Sequence, residues 1–288
     1  MLNIEMTDNF TKKQSSQKPS KRVTIIIGIG LTIGALATAF PFIWMVTSSV
    51  KPQQESVSYP PTILTLHPTL TYFKELFTQL DFGRYLLNTV AVVLIGFVGL
   101  FFIAMAGYAF AKFEFRGKGF MFFLVLATMM IPVQLTMIPT YLILSRMKLT
   151  NTLIGIAMPT LVSAFGIFLF RQFMSTLPSE IFEAAKLDGA GEWLIFLRVV
   201  IPMSMPIIAV QAVLTFIAGW NSFLWPLIIA NDQNLYTLSV GLSLLNKQIS
   251  ANPSLEMAAA TLMVAPILFV FMIFQRFIVQ GFALSGLK

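Results

Sequence analysis

Charge in this chain is confined to clusters. Between them lie six stretches with no Asp, Glu, Lys or Arg: Val23 to Val50, Tyr85 to Ala111, Gly119 to Ser145, Leu149 to Phe170, Val199 to Asn231 and Met257 to Gln275. Each can cross a hydrocarbon core of about 30 Å, which takes about 20 helical residues. In lipid every backbone N–H and C=O needs an internal partner, which leaves helices or a closed barrel. These runs lack period-2 alternation, so they read as helices. Composition agrees, since 57% of the residues are hydrophobic and only 11% charged, against about 25% charged in soluble domains. The expected fold is all-α and polytopic, with six transmembrane helices.

The first span has a rival reading. Lys21 and Arg22 precede an apolar run containing Ala35, Ala37 and Ala39, which imitates a secretory signal and its cleavage site. The run continues through Phe40, Pro41 and Trp44 to Val50, longer than a signal core, which favours a retained span. With the N-terminus in the cytoplasm, thirteen of the nineteen Lys and Arg residues fall on the inner side, as the positive-inside bias asks. Both termini are then cytoplasmic. Topology and an anionic leaflet therefore account for the net charge of +7 better than nucleic acid does. With no cysteine in the chain, disulfides, thiolate nucleophiles and cysteine metal sites are excluded.

Residues 1–22 read as a disordered cytoplasmic tail, 23–281 as a transmembrane domain with a cytoplasmic loop at 172–200, and 282–288 as a cytoplasmic C-terminal tail. The first outer loop, Lys51 to Arg84, ends in a short amphipathic run carrying Leu70, Phe73, Leu76, Phe77 and Leu80, expected on the membrane surface or against other helices. The third, Asp232 to Glu256, is rich in amides and suits either a polar partner or plain solvation. Proline interrupts the spans at Pro132, Pro139, Pro159, Pro202, Pro206, Pro226 and Pro266, so kinks or breaks are expected there. No phosphate-binding G-x-x-x-x-G-K-[ST] loop occurs, and His67, the only histidine, sits beside Pro68 in a loop. No span carries an ionisable relay of the kind proton-coupled carriers use. The chain has no catalytic residues to offer, and energy for any transport has to come from a partner.

The polar stretch from Glu183 to Pro202 is where a membrane protein offers something to grip. Ser179 is placed to cap a helix running from Glu180 to about Asp188, and Glu180 suits its positive end. Gly189 permits the left-handed backbone that ends such a helix, Gly191 loosens the turn, and a second helix follows from Glu192 to about Val200. Two adjacent alanines, Ala184 and Ala185, allow close approach.

Glu183, Ala184, Ala185, Asp188, Gly189 and Ala190, followed at the customary spacing by Pro202 and Pro206, make up an EAA signature. With it the chain resembles the membrane permease subunits of bacterial ABC importers, in the sugar-importer branch of the smaller maltose-type permease. The resemblance extends through GYAFAKFEFRGK (residues 107–118), IPTYLILSRMKLTNTL (138–153), FLFRQFMSTLP (168–178) and WNSFLWPLI (220–228).

The resemblance implies an ABC importer type I permease fold in the bacterial inner membrane. It also implies a second homologous permease, two ATPase subunits holding the ATP and Mg, and an extracytoplasmic sugar-binding protein, with lipid around them and no cofactor on this chain. It assigns Glu183 a polar contact to the ATPase, Ala184 and Ala185 a close-packed surface, Gly189 the turn, and Asp188 a brace that caps the second helix. The C-terminal Gln280, Gly281, Ser285, Gly286 and Lys288 would reach between the ATPases. Trp220, Asn221 and Trp225, with Gln211, are the candidates for the sugar pathway, membrane-interface anchoring being the competing role for the tryptophans. Asn246, Lys247, Gln248 and Asn252 are candidates for contact with the binding protein. The implied function is import of a di- or oligosaccharide by alternating access. Rivals are import of glycerol 3-phosphate, an ATP-independent channel or ion-coupled carrier, and a non-transporting membrane anchor.

Overall fold

The computed structural model describes residues 20–249 and 252–285, with side chains described over residues 20–244 and 252–276. The main helices are α1 (Lys21–Ser49), α2 (Thr71–Gln79), α3 (Phe82–Lys112), α4 (Lys118–Thr128), α5 (Val133–Arg146), α6 (Ala164–Ser175), α7 (Ser179–Leu187), α8 (Met205–Trp220), α9 (Leu238–Ile249) and α10 (Pro253–Ser285). Short helical turns join them, and no strand occurs among the described residues. Lys21 and Arg22, assigned to the tail from the sequence, are the first residues of α1, because Ser20 Oγ caps that helix by accepting from the Val23 N–H. The rest of the expected N-terminal tail lies outside the described residues.

Three helices, α1, α3 and the part of α10 up to Arg276, are each long and apolar enough to cross a membrane. Three more candidates are bent pairs, which bring the total to six if each pair is one span. The pair α4 and α5 turns by 102°, Leu153–Thr160 and α6 by 42°, and Glu192–Met203 and α8 by 80°. Proline stands at or near each of these breaks. Pro132 stands just before α5, Pro159 lies in the turn before α6, and Pro202 and Pro206 flank the 80° corner at Ser204. Pro41, Pro139 and Pro266 lie inside continuous helices, so proline alone does not mark a break. The stretch Val199 to Asn231 is therefore not one rod. Its beginning belongs to the corner helix, α8 makes the traverse, and Leu224–Ile229 is a separate short helix.

The core has three clusters. One lies toward the α7 end and gathers Tyr108, Phe110, Phe122, Phe170, Met174, Phe182, Ile195 and Phe196. A second, toward the opposite end, gathers Tyr72, Leu76, Phe82, Tyr85, Phe216, Trp220 and Leu238. A third holds Leu144, Ile156, Trp225 and Ile229. The amphipathic run thus packs as α2 against other helices, with Tyr72 and Leu76 buried. Helix α3 runs through the bundle and meets α6 closely: a Cβ on Gly107 would collide with Phe170, and one on Gly99 would come within 2.5 Å of the Leu161 backbone. Helix α1 is peripheral, with only Ser48 and Ser49 buried.

Candidate functional site: the α7 turn and the helix that holds it

Helix α7 runs Ser179–Leu187, within a residue of expectation, but Ser179 is its first residue rather than its cap; the capping position is Pro178, with no side-chain hydrogen bond. The turn closes through the Asp188 N–H to Ala184 O, the Gly189 N–H to Lys186 O and the Ala190 N–H to Ala185 O, each 3.0 Å. Gly189 has φ +83°, a conformation in which any Cβ is strained. The second helix starts at Glu192 with Gly191 in the capping position and no side-chain cap bond. The expectation that Asp188 caps it is therefore corrected. Asp188 is the C-terminal boundary of α7 and points to solvent, three residues short of the capping position.

The signature residues are divided between two surfaces. Glu183 and Ala184 are exposed, whereas Ala185 and Ala190 pack inward on the core cluster at this end, so the two alanines do not form one outward patch. Glu183 lies at the rim of a cavity of about 180 Å³ lined also by Tyr108, Lys112, Ser179, Phe182, Lys186 and Glu192. The most exposed apolar group of the turn is one the sequence did not single out: Leu187, the last residue of α7, is 89% exposed. Its signal was available, a large aliphatic residue directly before Asp-Gly in a polar loop.

Beneath the turn, Lys112 at the end of α3 donates from Nζ to Leu177 O at 2.6 Å and lies 5.0 Å from the Phe182 ring centroid. Lys186 and Glu192 pair at 2.7 Å across the turn, and the Glu192 carboxylate faces the Tyr108 hydroxyl. At the opposite end of α3, Asn88 donates to the carbonyls of Asn234 and Tyr236 at 2.7 and 3.0 Å, and Thr89 Oγ1 accepts the Leu238 N–H at 2.7 Å. Asn151, at φ 55°, accepts the N–H groups of Asn231 and Asp232 on the same segment. Sequence reading passed over Asn88, although an amide in an otherwise apolar span was its cue.

The structure does not bring the proposed pathway residues together. Trp220 is 2% exposed and donates from Nε1 to Met263 O at 2.9 Å. Trp225 belongs to a different cluster and donates to Gly155 O at 3.2 Å. Gln211 is buried among α3, α6 and α8, with its Oε1 unpartnered. Asn221 alone of the four is exposed. Of the amides expected at the binding-protein contact, Asn252 caps α10 by accepting from the N–H groups of Ser254 and Leu255. The side chains of Asn246, Lys247 and Gln248 lie outside those described. In the C-terminal tail Gln280, Gly281 and Ser285 are described as helical backbone only, and Gly286 and Lys288 lie outside the described residues. No group of three or more His, Asp or Glu side chains able to hold a metal occurs among the described residues.

A bundle of straight and broken apolar helices that presents a closed helix-turn-helix at one end is the architecture of a multi-pass transport permease. The family model described as the binding-protein-dependent transport system inner membrane component matches residues 99–283, and the chain belongs to that family. It is thus the permease subunit of an ABC importer, a multi-pass protein of the cell membrane. Among its relatives, the arabinooligosaccharides transport system permease protein AraQ of Halalkalibacterium halodurans is 31% identical, covering 94% of this chain and 99% of that protein. The lactose transport system permease protein LacG of Rhizobium radiobacter and the sn-glycerol-3-phosphate transport system permease protein UgpE of Pectobacterium atrosepticum are each 33% identical, covering 87% of this chain and 92% of theirs. A solved chain from a bacterial ABC transporter that imports the acidic polysaccharide alginate superposes with a TM-score of 0.78 at 23% identity, covering 90% of this chain and 98% of that one. At that identity it supports the fold alone.

Proposed function

We propose that this permease carries a di- or oligosaccharide inward, paired with a second permease, driven by two cytoplasmic ATPase subunits that engage the α7 turn, and supplied by an extracytoplasmic binding protein. The observation that carries the reading is the α7 turn itself: an exposed Glu183 and a projecting Leu187 on a helix closed by Gly189. Leu187 is the apolar anchor and Glu183 the polar contact for a groove on the ATPase. Relatives named for arabinooligosaccharides and lactose support the sugar class. The orientation, with both termini cytoplasmic, rests on the distribution of Lys and Arg.

The substrate pathway we propose follows the broken span rather than the tryptophans. Irregular backbone at membrane depth is tolerated only against protein or along a water-filled cavity. The 102° break at Met129–Pro132 falls midway along the third charge-free stretch, with Met130, Ile131 and Gln134 exposed. Together with Asn221 these residues supply polar and polarisable groups to a path shared with the second permease. Transport of glycerol 3-phosphate is the second reading, favoured by the UgpE relative. Purifying the tagged chain from its membrane and recovering an ATPase and a second permease, whose ATP hydrolysis rises with a sugar-loaded binding protein, tests the proposal. Stimulation by glycerol 3-phosphate instead would move the assignment to the second reading, and recovery of a lone, ATPase-free chain would overturn both.

A further inference from the structure

On its C-terminal side helix α7 is tethered covalently by weak links. Behind it lies a turn containing Gly189 and Gly191, and α8 follows only after the 80° corner at Ser204. A push on α7 delivered through those links would be absorbed by bending. The contacts to α3 are of a different kind. Lys112 holds the entry of α7 through Leu177 O, Tyr108 packs on Phe182 with ring centroids 6.4 Å apart, and the Lys186–Glu192 pair, facing Tyr108, holds the exit. Both ends of α7 are thereby gripped by the last two turns of one unbroken 31-residue helix. The first turns of that same helix grip the Asn234–Leu238 segment through Asn88 and Thr89. At about 1.5 Å per residue, the two grips are about 30 Å apart.

We propose that α3 is the rod that couples the α7 turn to the outer face of this permease, with Lys112 and Tyr108 as positioning residues at the ATPase end and Asn88 and Thr89 at the extracytoplasmic end. The inference rests on the proposed function for what docks at each end. A rod with a discrete hold at both ends is the kind of element through which two sites bias each other, and coupling between its ends is measurable by double substitution.

The experiment uses the full complex in proteoliposomes, with ATP hydrolysis and sugar uptake measured together. Lys112→Met is expected to leave the ATPase bound and hydrolysing while uptake per ATP falls about tenfold, with Lys112→Arg restoring it. Asn88→Leu is expected to give the same loss from the far end, and the double variant a loss no larger than the greater single one. Single variants whose uptake per ATP stays within twofold of the unmodified complex, or losses that multiply in the double variant, would overturn the rod. Should Lys112→Met fail to assemble, Lys186→Glu and Glu192→Lys take its place. Both side chains are about half exposed, 55% and 46%, so the pair contributes little stability, and each single change should leave the protein assembled while uptake per ATP falls. Single variants that stay coupled count against the proposal. Absence of any ATPase from the unmodified complex would instead sink the proposed function.

Discussion

Gly189 and Trp220 mark the two extremes of what a single residue shows here. Gly189 was readable, because only a residue without Cβ sits comfortably at φ +83° where α7 must stop, and its N–H is committed to Lys186 O. Gly189→Pro removes that donor and forbids the angle. Sugar uptake should fall to background while membrane insertion, followed by fractionation and thermal unfolding, stays normal; wild-type uptake would remove the turn from the coupling role. Trp220 was misleading. An indole in a span suits a sugar face or an interface anchor equally well; in the fold it stacks 5.2 Å from Phe216 on its own helix and donates to Met263 O of α10, a partner distant in sequence. Trp220→Ala should therefore cost about 3–5 kcal/mol of stability, read as a lowered melting temperature of the purified protein. A shift in sugar affinity at unchanged melting temperature would return Trp220 to the pathway.

Among the elements, the helices were legible and their continuity was not. Six uncharged stretches specify apolar helices, but the eight prolines in them look alike on paper. Pro139 and Pro266 ride inside helices, while Pro132 sits at a 102° break, a difference that the loss of one hydrogen bond at each does not by itself determine. The break is also where transport should be sensitive. Gln134→Leu keeps the bulk of an exposed side chain and removes its amide, so protein level and ATPase binding should hold while uptake kinetics worsen severalfold. Kinetics unchanged in the same transport assay would place the path elsewhere. By contrast, Gly107→Leu should prevent the α3–α6 approach altogether, seen as loss of folded protein on size-exclusion chromatography, since a side chain there meets Phe170.

At the scale of the whole molecule, the chain's lack of cysteine makes orientation directly measurable. With the N-terminus cytoplasmic, Ser58→Cys should react with a membrane-impermeant thiol reagent in intact cells, and Arg116→Cys only after permeabilisation. The reverse pattern would invert the topology and put α7 on the wrong side for an ATPase. The sequence by itself determined the all-helical membrane class, the family signature and the turn at Gly189, because charge exclusion, local spacing and backbone conformation act over a few residues. Only the tertiary structure decided which tryptophans are buried, that Ala185 packs inward while Leu187 projects, and that α3 holds both the α7 turn and the Asn234–Leu238 segment. Those outcomes depend on contacts between residues tens to more than a hundred positions apart, and nothing in local hydropathy records which side chain will find which carbonyl.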